Sequence, residues 1–455
     1  MVHETLKNMN QKPVEFRRIW WKQPIDVFLR LCDDYSRAFL FESMGDGGDR
    51  SRFSFIGFDP EVVVTIKDGF TRIGGERLKV DDPIDVIRAF IGGRRSHSSC
   101  LRYVGGAVGY ISYDAIRYWE DLPNKSVDDL GFPDVEVGIY NDGIIFDHLN
   151  NEAFYFYRGR DRYDEIERKI GREPNIPELS FTTPKVNISR DRYDKIIDRA
   201  KEYIFSGDIL QVVLSKRYSS SFEGGLQKFY LNLRRINPSP YMYFLKMDDR
   251  FIIGSSPETL VRVEGELVET YPIAGTRPVT GDVERDKALE KELLNDPKEI
   301  AEHVMLLDLA RNDLGKVSEF NTVRVAELMR IYRYSHVQHI VSKVAGKLRR
   351  DCDCFDALKA VFPAGTVSGA PKIRAMEIID ELEGVRRGPY AGAVGYFSYN
   401  GNMDLAITIR TLFAKGGKMH IQVGSGIVAD STAENEWLET EFKARALMKA
   451  LEESE

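Results

Sequence analysis

Cysteine is scarce in this chain and carries no pairing pattern: the four, Cys32, Cys100, Cys352 and Cys354, lack CxxC spacing, and Cys352 and Cys354 flank a single aspartate. That spacing excludes a zinc knuckle or a dithiol redox motif and predicts free thiols in a reducing cytoplasm. The seven histidines form no HExxH or other paired-ligand pattern, so any metal is expected on oxygen ligands. No apolar run approaches the ~20 residues of a membrane-spanning helix. The opening stretch MVHETLKNMNQKPVEF has no apolar core, so it does not read as a signal peptide. Long basic runs are missing too; with a net charge of −7, neither nucleic acid nor an anionic membrane is expected as a partner. No Gly-rich loop follows a strand with Rossmann or P-loop spacing, which argues against a nucleotide site.

What is present is the composition of an ordinary globular protein, 43% hydrophobic and 30% charged over 455 residues, long enough for two or three domains. Residues 1–180 read as short strands and turns with a few helices, including strands at Phe53–Phe58, 61–66 and 135–146. The proline-bearing stretch 174–190 reads as a connector, followed by a helix over 191–205 that stops at Ser206-Gly207. Strands are expected at 209–218, Tyr241–Met247, 251–254 and 260–263. One octapeptide repeats: Gly106-Ala107-Val108-Gly109-Tyr110-Ile111-Ser112-Tyr113 returns as Gly392-Ala393-Val394-Gly395-Tyr396-Phe397-Ser398-Tyr399. A weaker echo pairs Phe55-Ile56-Gly57 and Pro60-Glu61 with Ile252-Ile253-Gly254 and Pro257-Glu258. The offsets are 286 and 197 residues, which reads either as a degenerate duplication whose second copy gained roughly 89 residues, or as chance likeness of turn-flanked strands. Strands and helices without regular βαβ alternation predict an α+β fold.

The chemistry-bearing pattern is two pairs of glutamates. Asp296-Pro297-Lys298-Glu299 is a helix start, with Asp as N-cap and Pro at the first position. Glu299 and Glu302 then share one face at i,i+3, although Glu299 also fits a capping box. A last helix beginning near Asp430-Ser431-Thr432, with Glu434 placed for a capping box, carries Glu436 and Glu439 at the same spacing. Each glutamate alone reads as a solvated face. Two matching pairs at helix starts suit Mg²⁺, which takes carboxylates together with water and substrate oxygens. Two small-residue loops, Ala364–Lys372 with Thr366 and Val423-Gly424-Ser425-Gly426-Ile427, open onto helices and would let backbone N–H groups meet an anion. With a strand over 407–412 bearing Arg410, the set suits a dicarboxylate held partly through metal.

These segments resemble the chorismate-utilising enzymes. The likeness spans roughly Ser189–Leu451, through Pro272-Ile273-Ala274-Gly275-Thr276-Arg277-Pro278, the run from Glu302 to Asp313, Phe362–Lys372 and Gly424–Ser431. It extends more weakly into the first third through Phe41-Glu42-Ser43, Arg52–Gly57 and Gly105–Tyr110. The resemblance implies an α+β fold of two large packed antiparallel β-sheets surrounded by helices. A catalytic region (189–451) would interleave with an N-terminal regulatory region (1–180). Gln211 stands where water-adding members carry a lysine base, and Ala274 where aminodeoxychorismate-forming members carry a nucleophilic lysine. Both imply the amino-transferring branch that makes anthranilate and pyruvate from chorismate and ammonia, the first committed step of tryptophan biosynthesis. The aminodeoxychorismate branch and a non-catalytic tryptophan-binding protein are the alternatives.

The resemblance further assigns Glu302 and Glu439 as direct Mg²⁺ ligands, with Glu299 and Glu436 acting through water. Glu258 becomes the general acid and His339 the histidine of pyruvate elimination, with His336 the neighbouring alternative. Ala274, Gly275, Thr276, Thr366, Tyr390, Arg410, Gly424, Ser425, Gly426 and Lys443 become the substrate-holding positions. Glu42, Ser43, Pro240, Tyr241 and Met242 match an inhibitory tryptophan pocket. Val279 departs from the family arginine at its position, and Phe41 from its leucine. No amidotransferase motif is present, so a separate glutamine amidotransferase subunit is expected to supply the ammonia, in an assembly of two large and two small subunits.

Overall fold

In the strand Arg37–Glu42, Phe39 joins one apolar cluster while Ala38 and Leu40 join another, the period-two pattern of a strand buried on both faces. The computed structural model describes residues 13–44, 52–73, 75–92, 101–334 and 337–455. Cys100, His336 and residues 1–12 of the opening stretch lie outside them. Among the described residues two antiparallel sheets form. The first runs Glu15–Ile19, Glu152–Tyr157, Asp142–Asp147, Phe53–Phe58, Arg37–Glu42, Tyr241–Met247, Arg250–Ser256, Thr411–Lys415, Lys418–Ile427, Gln211–Gly224 and Leu179–Phe181. The second runs Ile273–Pro278, Val337–Lys347, Leu267–Thr270, Thr259–Glu264, Met403–Ile407, Ala393–Ser398, Gly106–Ile111, Val135–Tyr140, Val62–Lys67, Phe70–Ile73 and Glu76–Lys79. Phe39, Phe55, Ile145 and Ile252 of the first sheet and Val108, Val137, Val261 and Tyr396 of the second share one cluster, so the sheets pack on each other. Helices Pro24–Cys32, Gln227–Ile236 and Ala433–Glu452 cover the outer face of the first sheet. This is the expected α+β architecture.

The repeat is visible as symmetry. The two octapeptides form neighbouring strands, with Gly109 facing Gly395. A Cβ on Gly109 would lie 2.0 Å from the Glu136 carbonyl, and one on Gly395 would lie 2.1 Å from that of Asp404. The glycines recur because each half needs the same close strand approach. In the first sheet Arg37–Glu42 pairs with Tyr241–Met247. The echo strands Phe53–Phe58 and Arg250–Ser256 flank that pair at equivalent positions. The inserted stretch of the second half contributes helices Val283–Asn295 and Pro297–Gly315 and strands Arg324–Arg333 and Val337–Lys347.

Several expected elements differ. The strand over 135–146 is two, breaking at Asn141 and passing from the second sheet to the first. The strand over 407–412 breaks in the same way, leaving Arg410 at φ +52 in the crossing between Met403–Ile407 and Thr411–Lys415. Uniform hydrophobicity hides such breaks, because both segments are buried. The connector 174–190 holds two short strands, Leu179–Phe181 and Lys185–Val186, that pair with Gln211–Gly224. Gly424 and Gly426 lie within the strand Lys418–Ile427, opposite Ser215 and Val213, rather than in an anion-binding turn. The final helix is capped by Thr432, which accepts from Asn435 N; Glu434 makes no capping box and pairs with Arg190. No helix among the described residues is long and apolar enough to cross a membrane.

Candidate active site

Glu258 and Arg410 sit on the two adjacent chain crossings between the sheets. Ile407 N donates to the Glu258 carbonyl at 3.0 Å, and Ser255 N to that of Arg410 at 3.1 Å. Breaking both strands here takes two polar residues out of the regular ladder, and Glu258 enters a pocket. Glu258 is 6% exposed and lines a cavity of about 370 Å³ with Thr366, Leu306 and Leu309. Burial pushes its carboxyl up from 4.5 to about 8, against the smaller opposing pulls of Thr366, the Ile273 amide and Lys443. A carboxyl with that pKa is protonated at neutral pH and can act as an acid. Arg410 is half-buried near Tyr390 and Glu439, and its loss of solvent lowers its pKa against their opposing pull.

The insertion supplies a second wall. Asp296 caps helix Pro297–Gly315 by accepting from Lys298 N and Glu299 N, an arrangement worth about 1 kcal/mol. Glu299 does not fold back into a capping box: its carboxylate accepts from Arg277 at 3.0 Å. Glu302 lies one turn on and accepts from Gln211 Nε2 at 2.8 Å. Burial raises the Glu302 pKa, with Glu299 and Glu439 adding to the rise. Burial also raises that of Glu436, again with Glu439 adding to it, and Glu436 Oε2 has no hydrogen-bond partner. Glu439 pairs with Lys443 at 2.6 Å, and Lys443 also donates to the Gly424 carbonyl at 2.9 Å. Among the described residues no three acidic, histidine or cysteine side chains are drawn into a ready-made metal cluster. Even so, a half-buried Glu302 and a buried Glu436, both made harder to ionise by neighbouring carboxylates, and an orphaned carboxylate oxygen fit an oxygen-loving divalent cation.

His339 Nδ1 lies 2.9 Å from the Gly275 carbonyl and 3.0 Å from Thr276 Oγ1. Burial holds its imidazole down at about 4. Gly275, at φ +68, passes so close to the carboxylate that a Cβ would lie 3.0 Å from Glu299 Oε2. Ala274 pairs with Ile340 one register step from His339. A Cβ on Gly424 would come 2.7 Å from Tyr390 Oη, and one on Gly426 2.4 Å from Gln211 Nε2, so both glycines are small because side chains press on the strand. Ser425 lies 3.2 Å from Tyr193 Oη. Glu258 and Thr366 line the pocket itself, and Lys443 lies within electrostatic reach of Glu258, Glu302, His339 and Glu436, with Gln211 on Glu302 and Tyr390 beside Arg410.

A second cavity, about 500 Å³, is lined by Phe41, Glu42, Ser43, Pro240, Tyr241 and Met242 together with Arg102 and Asp404. The Glu42 carboxylate is taken by Arg234 at 3.0 Å and Tyr230 at 2.9 Å, whereas Ser43 Oγ is buried without a partner. Three interactions around the catalytic pocket had gone unread in the sequence: Arg277 with Glu299, Lys372 with Asp313 at 2.7 Å, and Arg387 with Glu383 at 2.6 Å. Arg277 and Lys372 lie within the segments 272–278 and 362–372 that carry the family resemblance. Nothing in sequence spacing signals the burial of Arg387.

With this pocket between two packed sheets, the chain belongs to the chorismate-binding enzyme family, whose model matches residues 36–449. Within it the chain is 48% identical to anthranilate synthase component 1 of Methanothermobacter marburgensis, covering 98% of this chain and 95% of that one. It is 46% identical to the protein of that name from Thermus thermophilus, over 95% and 96% of the two chains. A solved structure of anthranilate synthase component I from Streptococcus pneumoniae superposes with a TM-score of 0.78 at 38% identity, covering 88% of this chain and 93% of that one. The menaquinone-specific isochorismate synthase of Escherichia coli shares the fold at a TM-score of 0.74 and 18% identity, over 99% and 98%.

Proposed function

We propose that this chain converts chorismate and ammonia to anthranilate and pyruvate, as the large component of an anthranilate synthase in tryptophan biosynthesis. The observation that carries the reading is Gln211 hydrogen-bonded to Glu302 at 2.8 Å, together with a buried Glu258 whose carboxyl is pushed up to about 8. An amide cannot deprotonate water, but it can hydrogen-bond ammonia. With alanine at 274 no covalent adduct forms, so ammonia attacks ring carbon 2 directly while Glu258 gives its proton to the departing hydroxyl at carbon 4. His339, neutral and held by Gly275 and Thr276, is the group we assign to the later loss of pyruvate. Arg410, Lys443, Tyr390, Thr366 and the 424–426 strand hold the two carboxylates, with Ala274–Thr276 beside the ring. Glu302 and Glu439 would hold Mg²⁺ directly, and Glu299 and Glu436 through water. The ion would neutralise the charge of the ring carboxylate.

A glutamine amidotransferase subunit, in a two-plus-two assembly, would supply ammonia, which is scarce as the free base at neutral pH. The cavity of Ser43, Pro240, Tyr241 and Met242 would take tryptophan as a feedback inhibitor, with Glu42 in its wall. Cys32, Cys352 and Cys354 are free and buried, which suits a reducing cytoplasm. The test is chorismate, Mg²⁺ and ammonium at high pH with the purified chain: anthranilate fluorescence must rise without a separate lyase. Accumulation of an aminated, non-fluorescent product would instead assign the aminodeoxychorismate branch.

A further inference from the structure

The ion pair Glu383–Arg387 is buried, and its contacts reach three parts of the site at once. Arg387 is 1% exposed. Its Nε donates to Glu383 Oε2 at 2.9 Å and its Nη2 to Glu383 Oε1 at 2.6 Å. Two further donors go to main chain: Nη1 to the Val367 carbonyl and Nη2 to the Val213 carbonyl, each at 2.7 Å. The guanidinium also stands 4.7 Å from the Tyr113 ring and 5.6 Å from the Tyr390 ring. Glu383 Oε1 accepts in addition from Ser215 N at 2.8 Å and Ser215 Oγ at 2.7 Å, and Ser215 is the residue opposite Gly424 in the sheet.

Val367 follows Thr366, Val213 lies two residues beyond Gln211, and Tyr390 presses on Gly424. A rigid fork is suited to fixing two carbonyls and a carboxylate at set angles; a single ammonium nitrogen cannot occupy the positions of both Nη1 and Nη2. A buried charge pair is seldom the most stabilising filling for a core. Its placement between three substrate-facing segments therefore calls for another explanation. We propose that Arg387, braced by Glu383, is a positioning residue that fixes the Thr366 turn and the Tyr390 ring relative to the Gln211 strand, so that the groups receiving the substrate carboxylates stand at the correct separation. The inference rests on chorismate being the substrate, as proposed above.

The experiment measures KM for chorismate at saturating ammonium and Mg²⁺, alongside the thermal transition, for the unaltered chain, Arg387→Lys and the double variant Glu383→Leu/Arg387→Met. The double variant removes both charges together, so no lone charge is left buried. If the unaltered chain does not turn chorismate over, the functional reading fails before the positioning role is tested. If it does, folded variants should show KM raised about fivefold or more, the scale expected when binding groups are misplaced by a fraction of an ångström, while KM for ammonium stays put. A smaller rise in KM, whatever happens to kcat, overturns the proposal, because a merely structural role lowers the active fraction without changing affinity. Failure of both variants to fold overturns it as well, since the pair would then serve the fold rather than the site.

Discussion

Replacing Glu258 by glutamine should make the protein more stable and nearly inactive at the same time. The carboxyl is pushed from 4.5 to about 8 by burial, so the folded state holds a proton that the unfolded chain releases above pH 4.5. The stability associated with the protonated form is complete below pH 4.5 and is lost as pH rises through about 8. At about 1.36 kcal/mol per pH unit, the loss at pH 7 is about 3 kcal/mol, at pH 5 under about 1, and above pH 8 it levels off near 5. Glutamine carries no such pH dependence. The advantage of Glu258→Gln over the parent chain should therefore grow between pH 5 and 8 by roughly 3 kcal/mol, offset by whatever its amide N–H groups leave unpaired. Urea denaturation at pH 5, 7 and 8 measures this growth directly, and turnover should fall by about 10²–10⁴-fold. A stability difference flat with pH, or a variant keeping more than about a tenth of the parent activity, would refute the reasoning.

Glu439→Ala should raise the Mg²⁺ concentration needed for half-maximal turnover by about tenfold or more, read from an Mg²⁺ titration of activity and by calorimetry. Gly426→Ala places a Cβ 2.4 Å from Gln211 Nε2, so turnover should drop by about 10²-fold while circular dichroism stays that of the parent. His339, held at about 4 by burial, should show no ring-proton NMR titration between pH 5.5 and 8. Because its folded pKa is lowered, its contribution to stability is present above pH 6.5 and declines as pH falls toward 4; a midpoint near 6.5 would contradict the burial.

The glutamate pairs were legible because helical spacing and the Asp296-Pro297 start fix which face they share. The α+β class followed from strands that alternate and helices that do not interleave regularly with them. Arg410 was misread as a strand residue: 403–415 is apolar enough on both sides of the break that hydrophobicity alone runs straight through it. Gly424 and Gly426 were misread as a turn because glycine signals φ freedom in sequence, whereas here it answers the pressure of Tyr390 and Gln211 across the sheet. Glu434 was assigned a capping box, but Arg190, 244 residues away, competes for its carboxylate. Arg387 gives no signal because, apart from Glu383 four residues away, its partners Val213 and Val367 reach it only when the strand and the turn are assembled around it.

The strand pairs that join the halves have a consequence for cutting the chain. Arg37–Glu42 meets Tyr241–Met247 in one sheet, and Gly106–Ile111 meets Ala393–Ser398 in the other. A nick in the stretch between residues 157 and 211 would separate the halves only by baring both inner strands of each, and such edges readily seek new partners. Each fragment alone would be prone to stick to itself, yet each displays the edges its counterpart requires. Co-produced fragments should therefore reassemble by strand complementation, and the two halves behave as interlocking pieces rather than as domains on a tether.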